Sequence, residues 1–332
     1  MIKSDGGIEI VGIARDGLEA LDKIKELKPD VITMDVEMPR MNGLEALERI
    51  MVENPTPVIM VSSLTGPGAA STIQALESGA VDFFLKASSA NPLGTSGSPE
   101  ELISKIKMAG SLEKRALAHL MLRKTRTVRP KTAVKQTGGI PRQLVFIASS
   151  TGGPRALYQV VPELPADLPA AVLIVQHMPA GFTKTLADRL DELSNISVKE
   201  AENGSVFSEG TALLAPGGFH MVLGDHNNVR LNQNPSVLGL RPAADITMAS
   251  LARAYGRKTV VAVLTGMGSD GTNGSSAIKA EGGIIIAQEG STCVVNGMPG
   301  SVVNAGLANH IVPLNHIAEE ITKICRARAE TK

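Results

Sequence analysis

The chain has 332 residues, long for a single core, so two domains are the expectation. Its 33 Lys and Arg balance 33 Asp and Glu, which leaves no net field to gather polyanions or acidic membrane surfaces. Aromatic residues make up only 2 %, with no Trp, which argues against stacking platforms for single-stranded nucleic acid and leaves Val, Ile, Leu, Ala and Met to build the cores.

Cys293 and Cys325 have neither metal-ligand spacing nor a disulfide framework. The start, MIKSDGGIEI, contains no apolar leader, and runs such as Ala170–Val175 are too short to span a bilayer. The expectation is a cytoplasmic protein that is neither membrane-embedded nor a nucleic-acid binder.

In chain order, Asp16–Leu27 carries apolar residues at helical spacing and Val31–Met34 is a short apolar run. Gly43–Val52 reads as helix, Pro57–Val61 as strand, Gly68–Glu77 as helix and Val81–Leu85 as strand. Strict alternation of this kind predicts parallel strands with crossover helices. A helical stretch from Glu100 runs into Leu112–Arg126. From Ser111 to Ile140 there are eight Lys or Arg against one Glu, with Pro and Gly toward the end. We read it as a helix ending in a basic, solvated linker.

The alternation then resumes. Leu144–Ala148 is a predicted strand, Pro154–Val161 a helix and Ala170–Val175 a strand. Thr259–Leu264, Asn273–Ala280 and Gly283–Ala287 follow as strand, helix and strand. Between them, Ser205–Arg230 reads as a hairpin insert with a turn at Gly217 and Gly218.

Open parallel sheets gather chemistry at the carboxyl ends of their strands, and three strands of this second half end in reactive types. Ser150 lies in SSTGGP, His177 in QHMP and Asp270 in TGMGSDG. A serine attacks a carbonyl, a histidine takes its proton, and an aspartate fixes the imidazole tautomer and stabilises its charge. The order Ser, His, Asp differs from that of α/β-hydrolases, and the G-x-S-x-G elbow is absent. Taken singly, each has a plainer reading. Ser150 and Asp270 suit helix caps, and a histidine at a strand end is commonly a hydrogen-bonded core residue. A rival class is also present: Gly266, Gly268 and Gly271 make G-x-G-x-x-G between strand and helix, with Glu289 further on, the layout of a dinucleotide-binding enzyme.

The strings ASSTGGP, IVQHMPAGFT, LLAPGGFHM, LRPAADI, LTGMGSDG and NGMPGSV, in this order, resemble the chemotaxis protein-glutamate methylesterase family over nearly all of residues 142–315. The resemblance implies a doubly wound parallel-sheet domain that hydrolyses glutamate γ-methyl esters on chemoreceptors, needs no cofactor for catalysis, and can also deamidate glutamine. It makes Ser150 the nucleophile, His177 the base and Asp270 the residue orienting it. Thr151 matches a residue near the histidine, and the Met267 backbone N–H matches an oxyanion donor. Ala243-Ala244-Asp245 and Gly300 depart slightly from common family spellings, without touching the chemistry.

In the first half, Asp35, Ser62 and Lys86 each end a predicted strand, a set suited to acyl-phosphate chemistry. With DGLEAL and ESGAVDFFLK, they resemble a flavodoxin-like response-regulator receiver domain. The resemblance implies Asp35 as phosphoacceptor, Ser62 and Phe83 as switch pair, Lys86 as the conserved-role lysine, Mg²⁺ as cofactor and a chemotaxis histidine kinase as phosphodonor. Two features depart from it. Ala87 follows Lys86 where receivers carry Pro, and the first strand with its acidic pair is absent, leaving Asp35 as the lone metal ligand. The expected organisation is a receiver lacking its first strand over 1–110, a basic linker over 111–140 and a methylesterase domain over 141–332. The other class compatible with the same fold is a catalytically idle adaptor that binds receptor tails.

Overall fold

The computed structural model describes residues 5–63, 66–86, 97–112 and 139–330, apart from the side chains of residues 66 and 67. The chain divides into two units, Met1–Thr125 and Arg126–Lys332. Most of the predicted linker therefore lies outside the described residues.

The first unit runs α1 (Gly17–Leu27), β1 (Ile32–Asp35), α2 (Gly43–Glu53), β2 (Val58–Ser62), α3 (Gly66–Glu77), β3 (Asp82–Leu85) and α4 (Pro99–Gly110). Helix α1 starts where Asp16 accepts hydrogen bonds from the N–H groups of Leu18 and Glu19, at 3.0 and 3.1 Å. Asn42 does the same for α2 through Glu45 N, at 2.9 Å. Each such cap is worth about 1 kcal/mol. The helices bury Ala20, Leu21 and Ile24, and Ala46, Leu47 and Ile50, and they pack against each other. That is the 3.6-residue face legible in the sequence. Strands β1, β2 and β3 pair in parallel in that order, with Asp35 beside Val61 and Ser62 beside Leu85. Helix α4 stops at Gly110, short of the expected run into Leu112–Arg126, whose residues from 113 onward lie outside the described set. Ile8–Ala14 joins no strand, and a groove of about 490 Å³ lined by Ile8, Ile10, Ile24, Ile32 and Met34 opens beside β1.

The second unit continues β4 (Leu144–Ser149), α5 (Gly153–Val160), β5 (Ala171–Gln176), α6 (Phe182–Leu193), β6 (Ser197–Glu200) and β7 (Thr211–Leu214). It goes on through β8 (His220–Leu223), β9 (Val229–Asn232), α7 (Ala244–Tyr255), β10 (Thr259–Val263), α8 (Thr272–Ala280), β11 (Ile284–Gln288), α9 (Met298–Asn304), β12 (His310–Val312) and α10 (Ile317–Glu330). Seven strands form a parallel sheet in the order β12-β11-β10-β4-β5-β7-β6. Strands β4 and β5 are buried along their whole length, which explains their continuous apolar spelling. Burying each such Val, Ile or Leu contributes ~1.5–3 kcal/mol, and the large central side chains are Phe146, Phe182 and Phe207. Among the described residues no helix is long and apolar enough to cross a membrane.

One reading is corrected by the sheet. The insert is not one continuous hairpin over Ser205–Arg230, because β7 joins the main sheet, while β8 and β9 pair antiparallel and Val206 adds one antiparallel bridge to Asn228. Its turn spans Gly224–Asn228, where Gly224 N donates to Asn228 O at 2.8 Å. Gly217 and Gly218 precede β8 instead. Their N–H groups donate to Thr183 Oγ1 (3.0 Å) and Arg241 O (2.9 Å), pinning the loop after β7 beside the loop after β5.

Candidate active site

From β4 the chain moves to β5 on one side and later returns to β10 on the other, so the sheet order reverses between β4 and β10. Crevices at the carboxyl ends of such strands are where parallel sheets bind ligands. Ser150 follows β4 there, and its N–H donates to Thr265 O beyond β10 at 3.0 Å. Ser149 pairs with Gln176, and His177 N donates to Ser149 O at 3.0 Å. Ser150 and His177 thus leave neighbouring strand ends together. Among the described residues no hydrogen bond joins their side chains.

His177 Nε2 lies 2.7 Å from Asp270 Oδ2, and the two side chains are 6 % and 1 % exposed. Asp270 Oδ2 also accepts from Ala244 N at 2.6 Å. Its Oδ1 accepts from Asp245 N at 2.9 Å and Gly271 N at 3.0 Å. Burial alone opposes a charge on Asp270, but the His177 hydrogen bond and the N–H groups of Asp245 and Ala244 outweigh it and hold its pKa below the usual carboxylate value. An ionised carboxylate only accepts, so the imidazole proton belongs on Nε2. That leaves Nδ1 with its lone pair, and Nδ1 is buried without a hydrogen-bond partner. An unsatisfied buried nitrogen is rare enough to require a reason, and a lone pair able to take a proton at the neighbouring carboxyl ends of β4 and β5 supplies one.

The Asp270 loop explains the glycine fingerprint without a nucleotide. A Cβ on Gly266 would stand 2.3 Å from Met298 Sδ and 2.7 Å from the Ser150 Cβ, so only glycine lets this loop close on the serine. Gly268 and Gly271 carry φ of 84° and 95° in the same turn. The motif follows β10, whereas the dinucleotide layout wants it after the strand that opens the sheet. Met267 sits at the rim of this loop, 43 % exposed, and Thr151 is buried, its carbonyl accepting from Thr265 Oγ1 at 3.0 Å.

Three site residues went unread in the sequence. Asp245 Oδ1 accepts from Gly271 N (2.9 Å) and Gly274 N (2.7 Å), anchoring the turn that carries Asp270. Burial first, and then the Asp270 charge, push the Asp245 pKa up. Thr265 bonds Thr151 O, Val295 and Gln288 at once. Gln176 is the third. The only hint of any of them was their place inside motif strings, since their partners lie far away in sequence.

In the first unit Asp35 ends β1 and forms an ion pair with Lys86 Nζ. Lys86 N donates to Ser62 O at 2.9 Å, so the three strand ends are neighbours. The Ser62 hydroxyl turns toward α3, accepting from Thr72 Oγ1 at 2.8 Å. Phe83 is buried in β3 beneath Lys105, whose Nζ lies 5.4 Å from the ring centre. Asp5 is engaged elsewhere, paired with Lys107 at 2.8 Å. Among the described residues no three His, Cys, Asp or Glu side chains gather as a metal site. The oxygens around Asp35 among the described residues therefore do not fit Mg²⁺, which wants several hard ligands.

The fold and the site together define a hydrolase built on a doubly wound parallel sheet and preceded by a receiver-type α/β unit. A family model described as CheB methylesterase matches residues 145–321, and one described as response regulator receiver domain matches residues 1–96. The chain belongs to the CheB methylesterase family. Proteins named protein-glutamate methylesterase/protein-glutamine glutaminase from Pyrococcus horikoshii and Symbiobacterium thermophilum are each 46 % identical to it. The alignments cover 97 % of this chain and 88 % and 91 % of theirs. The Thermotoga maritima protein of the same name is 45 % identical over 98 % of this chain and 93 % of its own. The crystal structure of the Thermotoga maritima CheB methylesterase catalytic domain matches 56 % of this chain and 100 % of its own, with 43 % identity and a TM-score of 0.54.

Proposed function

We propose that the chain hydrolyses glutamate γ-methyl esters on the cytoplasmic domains of chemoreceptors, and deamidates glutamine at equivalent positions, by a Ser150-His177-Asp270 mechanism. The single observation behind this reading is the buried, unpartnered His177 Nδ1, with Nε2 held 2.7 Å from Asp270. As the substrate carbonyl arrives, Ser150 Oγ attacks it and its proton passes to Nδ1. The imidazolium so formed keeps its Nε2–H bond to the Asp270 carboxylate. The Met267 N–H stabilises the oxyanion, a contribution of ~3 kcal/mol for one well-aimed donor. Nδ1 then returns the proton to the departing methoxide, giving methanol and a glutamyl ester on Ser150. A water activated by the same nitrogen releases the glutamate and restores the serine. With glutamine the leaving group is ammonia.

Residues 141–332 alone release methanol from methylated receptor, because every group in this mechanism lies within the second unit. Headspace methanol from that fragment checks it. A folded fragment that is inactive, beside an active full chain, contradicts the division of labour.

For the first unit the reading is a regulatory receiver with Asp35 as phosphoacceptor, Ser62 and Phe83 as switch pair, Lys86 as countercharge and a chemotaxis histidine kinase as donor. The reading is supported by the Asp35–Lys86 pair, which spans the end of β2 from the two strands flanking it. Its metal set is incomplete among the described residues. Phosphoryl transfer to a carboxylate relies on a metal to neutralise the phosphoryl oxygens.

A further inference from the structure

We propose that Gln176 is a positioning residue that sets the spacing between nucleophile and base. The inference rests on the serine-hydrolase reading above. Gln176 is the last residue of β5 and only 2 % exposed. Its Nε2 donates to the carbonyls of both Ser150 and His177, at 2.9 and 3.1 Å. Its Oε1 accepts from the Ser149 hydroxyl at 2.7 Å. One amide thus holds the backbone carbonyls of both reacting residues and the side chain of Ser149 at the end of β4.

Chemistry fixes the orientation of this amide. Two carbonyl oxygens can only accept, so they demand the NH₂ end, and the hydroxyl of Ser149 is left to donate to the oxygen. The amide also sets the path of the chain after Ser150. A Cβ on Gly153 would fall 2.0 Å from Gln176 Oε1, so α5 can start this close to β5 only with glycine there. On its other side Ser150 is held by Thr265 O, through its own N–H. The serine therefore hangs between two fixed points, one on each neighbouring strand, and His177 shares one of them. Since Ser150 and His177 share no side-chain hydrogen bond, their separation depends on this backbone scaffold.

Misplacing reacting groups by about 1 Å costs on the order of 10²-fold in rate. Gln176→Glu presents a carboxylate to two carbonyls, and Gln176→Met keeps the length of the side chain without the donors. Both variants of the full chain are expected to lose on the order of 10²-fold in kcat for methanol release, with KM within about twofold of wild type. The rate constant for labelling Ser150 with a fluorophosphonate, which needs the activated serine but no receptor, falls by the same factor. Ser149→Ala shows a smaller loss of the same kind. A purely structural role lowers the melting temperature but leaves kcat per labelled serine unchanged, and that result overturns the proposal. So does failure of both Gln176 variants to fold, since the amide is then needed for the sheet itself. Ser150→Ala, run alongside, separates the two ideas. If it is silent while the Gln176 variants work normally, only the positioning role is lost. If it still turns over, the serine mechanism fails and the positioning role falls with it.

Discussion

Ser150→Ala is expected to lower methanol release by about 10⁶-fold while leaving the protein folded. The size follows from the role: without Oγ no acyl intermediate forms, and His177 has nothing to activate except water. The fold survives because the bonds that hold this residue are made by its backbone. Its N–H donates to Thr265 O, and its carbonyl accepts from Gly153 N at 2.7 Å and from Gln176. The Thr265 and Gly153 bonds leave the hydroxyl unused. Turnover assays beside circular dichroism and a thermal melt check both halves. A near wild-type rate would remove the nucleophile assignment.

Asp270→Asn is the second large effect, about 10⁴-fold in kcat. Asp270 Oδ2 faces two donors, His177 Nε2–H and Ala244 N–H, while Oδ1 faces Asp245 N–H and Gly271 N–H. An asparagine that keeps its oxygen on the second pair turns its NH₂ toward the imidazole. Nε2 must then accept, the proton moves to Nδ1, and the nitrogen that should serve as base is blocked. The reversed amide leaves Asp245 N and Gly271 N facing a donor instead. Stability follows the same carboxylate. Its folded pKa lies below the ordinary 3.8, so its contribution is complete above that pH and is lost as the pH falls through the folded value. Wild type and Asp270→Asn therefore differ most in melting temperature near neutral pH and converge in acid. An Asp270→Asn enzyme within tenfold of wild type contradicts the tautomer account.

How much of this was legible in the sequence follows from how local each signal is. Helices such as α1 announce themselves through an N-cap and a 3.6-residue apolar face, both written within a dozen residues. The buried strands β4 and β5 announce themselves as unbroken apolar runs, and Ser150 and His177 stand out as the polar residues that end them. The hairpin was misread because β7 and β8 are equally short. Sequence periodicity cannot say that one pairs with β5 and the other with β9. Gln176, Asp245 and Thr265 were invisible as site residues for a related reason. Asp245 meets Gly271 only because α7 packs its start against the loop after β10, some 26 residues on. The G-x-G-x-x-G spacing misled in the opposite direction, since glycines required by the approach to Ser150 and by the Met267–Asp270 turn happen to match a phosphate cradle.

The most direct measurement is to trap the intermediate. Methylated receptor is mixed with excess full-length enzyme, quenched in acid within the first turnover, digested with trypsin and examined by mass spectrometry. The account predicts a receptor-derived glutamyl ester on the peptide Gln143–Arg155, with fragmentation placing it on Ser150 rather than Ser149. The ester disappears in Ser150→Ala and accumulates when deacylation is slowed. Methanol released at full rate with no adduct on that peptide, or an adduct on any other residue, would contradict it.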